Sequence, residues 1–384
     1  MDNLTHTLVG LAAAKAGLER LSPGATAVCM IAANAPDADI IATFGGSWFY
    51  LKHHRGITHS IIGTLAIALL IPLMFYAGDR IIARLRERAP RVQLRGLFIA
   101  SLLISASHPL MDWTNNYGVR PLLPWSGRWF YGDLVYIIDP WLWLSLGGAS
   151  FLLTATAAAK RWRTVAWGLL ALLATLAFVI LPLRVGMDYP LVSRALWLAG
   201  LVALVVAHRL KIAPRWGSSI ALAALAFVVV YWGCLGVLHG RALKQAGVIA
   251  ATQAVQRGET IWRVAATPTL ADPTTWRAIA ETDRAAYRFD TSLLANTEGE
   301  INAPTQLARF EKPQGAAAEH ATRAAQDDRA VIFLDFARFP AVRVETQSCA
   351  EELLVQFADL RFAEPGDARR GANFTLEIPL RPAR

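Results

Sequence analysis

The sequence predicts an all-α polytopic membrane domain, about six transmembrane helices plus a short N-terminal helical hairpin, followed by a soluble α+β domain. Composition points there first: 54% of the 384 residues are hydrophobic and 17% are charged, more apolar surface than a soluble core of this length requires. The distribution is the second observation. Nearly charge-free runs occupy 61–78, 96–111, 141–159, 165–183, 195–207 and 218–238, most of them close to the roughly 20 residues a helix needs to cross about 30 Å of hydrocarbon. The third is a change of periodicity after residue 240. There a helical stretch at 243–256 gives way to segments at 276–289, 341–346, 353–362 and 374–380, in which apolar and polar residues alternate as they do along half-buried strands. The expected domains are therefore 1–240 and 241–384.

Elements at the N-terminus are shorter. Residues 4–21 and 25–35 are apolar and separated by Ser22-Pro23-Gly24, a hairpin that either spans thinly or re-enters among other helices. Its acidic start, Met1-Asp2-Asn3, and the interrupting Lys15 are unlike a cleaved signal, so the segment is expected to be retained. The loop between the first two long runs contains Arg80, Arg84, Arg86, Arg88, Arg91 and Arg95 and is expected to be cytoplasmic. Alternating from it puts Lys160-Arg161-Trp162-Arg163 and Arg209, Lys211 and Arg215 on the same side. The opposite loops hold Asp133, Asp139 and Asp188 and are rich in aromatics. By the same count the C-terminal domain is extracytoplasmic.

The formal charge of +9 does not indicate nucleic acid. Residues 1–240 carry 20 Lys/Arg against 10 Asp/Glu and residues 241–384 carry 18 against 19, so the excess belongs to the membrane half, where it sets orientation. Cys29, Cys234 and Cys349 are isolated, which excludes a disulfide framework and a thiolate zinc site.

Chemistry-bearing residues concentrate before position 115: Thr5-His6, Asn34-Ala35-Pro36-Asp37-Ala38-Asp39, His53-His54-Arg55-Gly56-Ile57-Thr58-His59-Ser60 and His108-Pro109-Leu110-Met111-Asp112. His59 precedes the helix running towards the arginine loop, and His108 and Asp112 close the helix returning from it. All four motifs thus converge at one face of the bilayer. Imidazole with carboxylate is the ligand set of Zn, Mn or Fe; the candidate ligands are His6, Asp37, Asp39, His54, His59, His108 and Asp112, enough for one or two divalent ions. His54 and His59 flank Gly56, where a tight turn can bring both rings to one centre, and His108 and Asp112 share a helix face at i, i+4. Arg55 is a candidate for holding a substrate phosphate or carboxylate, and Asp39 or Asp112 for general base.

These motifs resemble the YdjM-like inner-membrane proteins. The resemblance rests on Met1-Asp2-x-x-Thr5-His6-x-Leu8-x-Gly10, Asn34-x-Pro36-Asp37-x-Asp39, His54-Arg55-Gly56-x-Thr58-His59-Ser60, and His108-x-x-x-Asp112 followed by Asn116-Tyr117-Gly118 and Leu123-Pro124. It covers roughly residues 1–125 and implies metal-dependent hydrolase activity at the inner membrane, with no substrate named and nothing said of residues 241–384.

Blander readings stand beside these. His208 and His239 are expected to be interfacial or capping residues, and His53 is balanced between the two. Thr5, Thr58 and Ser60 are expected to cap helices or support ligands, and Asp2 to cap or ligate. The tryptophans form an aromatic belt. The expected function is a membrane-bound metal-dependent hydrolase of an ester or phosphoester, with a small-molecule or lipid-linked substrate. A transporter using the same cluster as a binding step and a non-catalytic scaffold whose C-terminal domain binds a partner are the alternatives.

Overall fold

Hydropathy and helix length agree along most of the first half of the chain. The computed structural model describes residues 1–155, 161–184, 190–294, 307–346, 353–366 and 374–380; Lys160, Asp188 and Cys349 lie outside them. Helix α1 (Asn3–Ala16) and α2 (Ala25–Asn34), which continues as a 3-10 segment Ala35–Gly45, are followed by α3 (Ser47–His53), α4 (Ile61–Leu85) and α5 (Leu94–Trp113). A shorter helical segment comes next: α6 (Pro140–Leu142), a π-turn Trp143–Gly147 and α7 (Gly148–Thr154). Then come α8 (Arg161–Thr175), a π-turn Leu176–Ile180, α9 (Leu181–Arg184), α10 (Leu191–Arg209), α11 (Ile212–Trp216) and α12 (Ser219–Arg257).

Six described helices are long and apolar enough to cross a membrane: Ala25–Gly45, Ile61–Leu85, Leu94–Trp113, Arg161–Ile180, Leu191–Arg209 and Ser219–Arg257. Five overlap runs read from the sequence. The sixth is the second arm of the expected hairpin, lengthened by its 3-10 extension. Within the apolar run at 141–159 the described residues are helical from Pro140 to Thr154, widened at the π-turn Trp143–Gly147, and this helical segment ends at Ala155. The stretches 218–238 and 243–256 are not separate: both lie in the 39-residue α12. Arg241 and Lys244 lower the hydropathy there without breaking the helix, since Lys and Arg are good helix formers.

By internal contacts the chain forms two units, Met1–Ala38 with Arg55–Leu235 and Leu270–Asp272, and Asp39–His54 with Gly236–Thr269 and Pro273–Arg384. In the first, α1, α2, α4 and α5 enclose a core of small and aliphatic side chains that includes Ala14, Val28, Cys29, Ala32, Leu97 and Ala100. Small residues let the backbones approach: a Cβ on Gly10 would stand 2.7 Å from the Cys29 carbonyl oxygen, and one on Gly96 would fall on that of Leu21. Asp139 caps α6 through the Trp141 and Leu142 amides and accepts from the Tyr231 hydroxyl of α12 at 2.9 Å.

The second unit contains two antiparallel sheets. One runs in the order β1 (Ile261–Thr269), β2 (Asp272–Thr282), β3 (Ala285–Ser292), β4 (Ala308–Glu311); the other is β5 (Pro340–Thr346), β6 (Leu353–Asp359), β7 (Thr375–Leu380). Between β4 and β5 lie α13 (Ala316–Ala324) and α14 (Asp328–Phe336). Ala246, Ile249 and Ala250 of α12 pack on Ala278, Ala280, Tyr287 and Phe289 of the first sheet; the two aromatic rings contribute about 1.5–3 kcal/mol each by burial. Phe333 of α14 packs with Val355, Phe357 and Ile378 of the second sheet, and Trp48 of α3 joins that cluster.

Candidate metal centre

Local capping sets the side chains in place. Asp2 caps α1 by accepting from the Thr5 amide at 2.9 Å, and the Trp143 indole donates to Asp2 Oδ2 at 3.2 Å and to Thr5 Oγ1 at 2.9 Å. Ser60 caps α4 through the Gly63 amide at 3.1 Å, which fixes the short 3-10 turn Ile57–His59 just before it. Helix α5 runs through Pro109 without ending, so His108 and Asp112 keep their one-turn spacing and face the same way. Asp2, Thr5 and Ser60 therefore hold helix starts, and Thr58 supports a ring: its hydroxyl lies 3.1 Å from His59 Nδ1.

Four side chains from three elements then meet. His59 Nε2 lies 3.2 Å from Asp37 Oδ1, 3.2 Å from Asp112 Oδ2 and 3.1 Å from His108 Nε2. His108 Nε2 lies 3.4 Å from Asp37 Oδ1 and 3.5 Å from Asp112 Oδ2. Donor atoms about 2.0–2.1 Å from a tetrahedral ion stand about 3.3–3.4 Å apart, so these five separations are those of a tetrahedral set. His59, His108 and Asp112 are fully buried, and Asp37, with 14% of its side chain exposed, marks the side open to solvent.

The protonation pattern points the same way. His108 Nδ1 is 2.6 Å from the Ala33 carbonyl oxygen, which can only accept, so that nitrogen carries the proton and neutral His108 presents a lone pair at Nε2. Asp112 Oδ2 is buried without a hydrogen bond. Lone pairs and carboxylate oxygens facing one another at this depth could hold a metal ion between them, since a positive charge there offsets the cost of burying them. A proton serves one pair of these atoms at a time; a divalent ion serves all four.

Around this set, Asp112 Oδ1 meets Arg55 Nη2 at 3.1 Å, His6 Nε2 at 3.4 Å and the Met1 amino group. The His6 ring stacks on His108 with centroids 3.7 Å apart, and its Nε2 is buried without a hydrogen bond. Arg55 is 2% exposed and donates to Asn115 Oδ1 at 3.0 Å and the Gly118 carbonyl at 3.1 Å, with its guanidinium over the Tyr117 ring. Its fork thus holds Asp112 and the 115–118 turn. In the turn between His54 and His59 the left-handed residue is Arg55, at φ 51°, while Gly56 has φ −88°; these anchors compensate a strain of about 1–3 kcal/mol.

Residues 1–186 match the family model of the YdjM inner membrane protein. The YdjM match covers Asp37, His59, His108, Asp112, His6 and Arg55, and with six apolar helices it supports a multi-pass inner-membrane protein. The uncharacterized protein YfhP of Bacillus subtilis (strain 168) is 28% identical over 155 residues, 38% of this chain and 44% of that protein, so the chain spans less than half of this relative's length. No solved structure matches.

Other histidines of the YdjM region are placed differently. His54 Nδ1 pairs with Asp39 Oδ1 at 3.0 Å and its ring stacks on Tyr50, in the second structural unit. His53 lies against Phe49, with ring centroids 4.2 Å apart. His208 and His239, both beyond the YdjM match, pack on Phe151 and Trp276. Three supporting groups have no motif of their own: the Ala33 carbonyl, Asn115, and Gly63, where a Cβ would fall on the Ile57 carbonyl oxygen. The signal for Asn115 is its place beside Asn116-Tyr117-Gly118.

Proposed function

We propose that this protein is a membrane-bound metal-dependent hydrolase acting on an ester or phosphoester, with a lipid-linked substrate favoured by the location of its ligands among membrane helices. One observation carries the reading: four buried or nearly buried donor atoms, of Asp37, His59, His108 and Asp112, lie at mutual distances suited to one tetrahedral ion, with the His108 lone pair turned inward by the Ala33 carbonyl. Two imidazoles and two carboxylates at such spacing favour zinc, with manganese or iron as the other N/O-ligated candidates. His6 Nε2, on the other oxygen of Asp112, is the ligand a second ion would add.

When bound, the ion supplies Lewis-acid polarisation of the substrate's acyl or phosphoryl oxygen and acidifies water at the site. The chain's own residues do the rest. Asp37 lines the open side, where substrate enters. Arg55 orients Asp112. Asp112 Oδ1 is engaged by Arg55 and Met1, while its Oδ2 is buried without a hydrogen bond, so Oδ2 is the oxygen that would face an ion or take a proton as general base.

The test is metal analysis of the full-length protein purified in detergent without chelator. Wild type should retain close to one transition-metal ion per chain and hydrolyse simple ester or phosphoester reporters. His59→Ala should lose both, while His208→Ala keeps both. Wild-type protein free of metal, or one that gains no hydrolytic activity on loading, would remove the proposal.

A further inference from the structure

Within the first unit, a cavity of about 970 Å³ lies between α1, the segment 140–155, α8 and α10. That volume is near the upper end of the roughly 300–1,000 Å³ typical of small-molecule sites. Its walls are apolar over most of their extent, including Leu8, Phe151, Trp167 and Leu204, and none of its lining residues is acidic. One end is different. Arg161, the first residue of α8, Arg209, the last of α10, and Lys211 just beyond it all line the cavity. Two antiparallel helices thus bring three cations to one mouth.

Among the described residues that line the cavity, no carboxylate stands beside them. Between Asp139 and Glu259 the chain holds a single acidic residue, Asp188, which lies outside the described residues. An apolar cavity lined at one end by three basic side chains is complementary to a molecule with hydrocarbon chains and an anionic head. Inorganic phosphate would use only the basic mouth. A zwitterionic lipid would present its own cation to it.

We propose that this cavity is a binding site for an anionic glycerophospholipid, with its phosphate at Arg161, Arg209 and Lys211 and its acyl chains against Leu8, Phe151, Trp167 and Leu204. The site is distinct from the metal centre: none of Asp37, His59, His108 and Asp112 lines it. Basic groups at the ends of membrane helices recognise anionic lipid heads in this way. The lipid comes from the leaflet on the side of the basic loops, which the arginine distribution makes the cytoplasmic one.

The experiment uses the full-length protein in mixed detergent micelles containing equal phosphatidylglycerol and phosphatidylethanolamine, with retained lipid read by native mass spectrometry. Wild type should retain phosphatidylglycerol preferentially. The triple variant Arg161→Gln, Arg209→Gln, Lys211→Gln should lose that preference, by roughly fivefold per charge removed. A second variant addresses the chains: a Cβ on Gly168, which lines the cavity, would meet nothing within 4 Å, so Gly168→Phe adds a ring at the cavity wall and should reduce retention of both lipids. Helical circular dichroism and monodisperse elution check that each variant folds. Equal retention of the two lipids by wild type, undiminished preference in the triple variant, or a dimer that excludes lipid from the cavity would overturn the proposal.

Discussion

Asp112 is surrounded by more positive partners than a buried carboxylate needs for neutrality, and this makes Arg55 the residue on which the site's geometry turns. Arg55 touches Asp112 Oδ1, Asn115 Oδ1 and the Gly118 carbonyl at once, a demand that a planar five-donor fork meets and an ammonium does not. Arg55→Lys should therefore weaken metal binding about 10–100-fold, the usual cost of losing a group that orients a ligand, while leaving the four ligands in place. Competition with a fluorescent chelator measures it, and unchanged affinity would show that Arg55 does not position Asp112. At this scale the ligands were legible because imidazole and carboxylate are rare in apolar segments and expensive there. Arg55 was legible as important, but its direction was not: sequence cannot show that its fork turns inward to Asn115 and a backbone carbonyl. The Ala33 carbonyl that sets the His108 tautomer has no side-chain signature at all.

Short elements, more than the long helices, hold the site together. The 3-10 turn Ile57–His59 sits against the first turn of α4, where the lack of a side chain at Gly63 gives room for the Ile57 carbonyl. Gly63→Ala should push that turn away and carry His59 out of the donor set, lowering metal content with the helices intact. Gly78→Ala on the same helix meets nothing within 4 Å and should be neutral or mildly stabilising, since Ala is preferred over Gly within a helix. Equal metal content in the two variants would sink the argument. In the second unit, Glu259, just before β1, accepts from Thr282, from Tyr287 of β3 and from Arg309 of β4, at 2.9, 2.8 and 2.6 Å. Burial opposes its ionisation, but these hydrogen bonds outweigh it and hold the carboxyl below the usual carboxylate range. A depressed folded value means stability that is present at neutral pH and lost as pH falls below about 4.5 and through the folded value. The melting temperature of wild type should fall over that range more steeply than that of Glu259→Gln; parallel curves would refute it. Strand periodicity was readable because alternation reports a half-buried face. The unity of α12 was not, since hydropathy senses the surroundings of a helix rather than its continuity, and the π-turn at Trp143–Gly147 lies in an apolar run that composition alone makes uniform.

For the whole molecule, the side of the membrane on which the C-terminal residues lie is the property that sequence counting and packing can each address. Counting alternate crossings from the Arg80–Arg95 loop requires the segment 140–155 to cross, although α6, the π-turn and α7 together span only 15 residues, about 22 Å of helix at 1.5 Å per residue against a core of about 30 Å. If that segment fails to cross, the count inverts. Packing within the second unit gives a route that does not use it. Helix α3 lies in the connection before α4, and its Trp48 packs into the cluster formed by α14 and the sheet β5–β6–β7. Two groups that touch outside the bilayer share a side, so the C-terminal sheets share the side of the connection before α4. Helix α4 separates that connection from the six-arginine loop after it. With the arginines in the cytoplasm, the prediction is that the C-terminal sheets are extracytoplasmic, the same side that the count through 140–155 predicts. A single cysteine introduced at Arg284, on a background with Cys29, Cys234 and Cys349 replaced, should react in intact cells with an impermeant maleimide, whereas one introduced at Arg86 should react only after the membrane is opened. Labelling of the Arg86 position alone in intact cells would reverse the orientation, and protection of both would place the C-terminal unit in the cytoplasm and undo the packing argument.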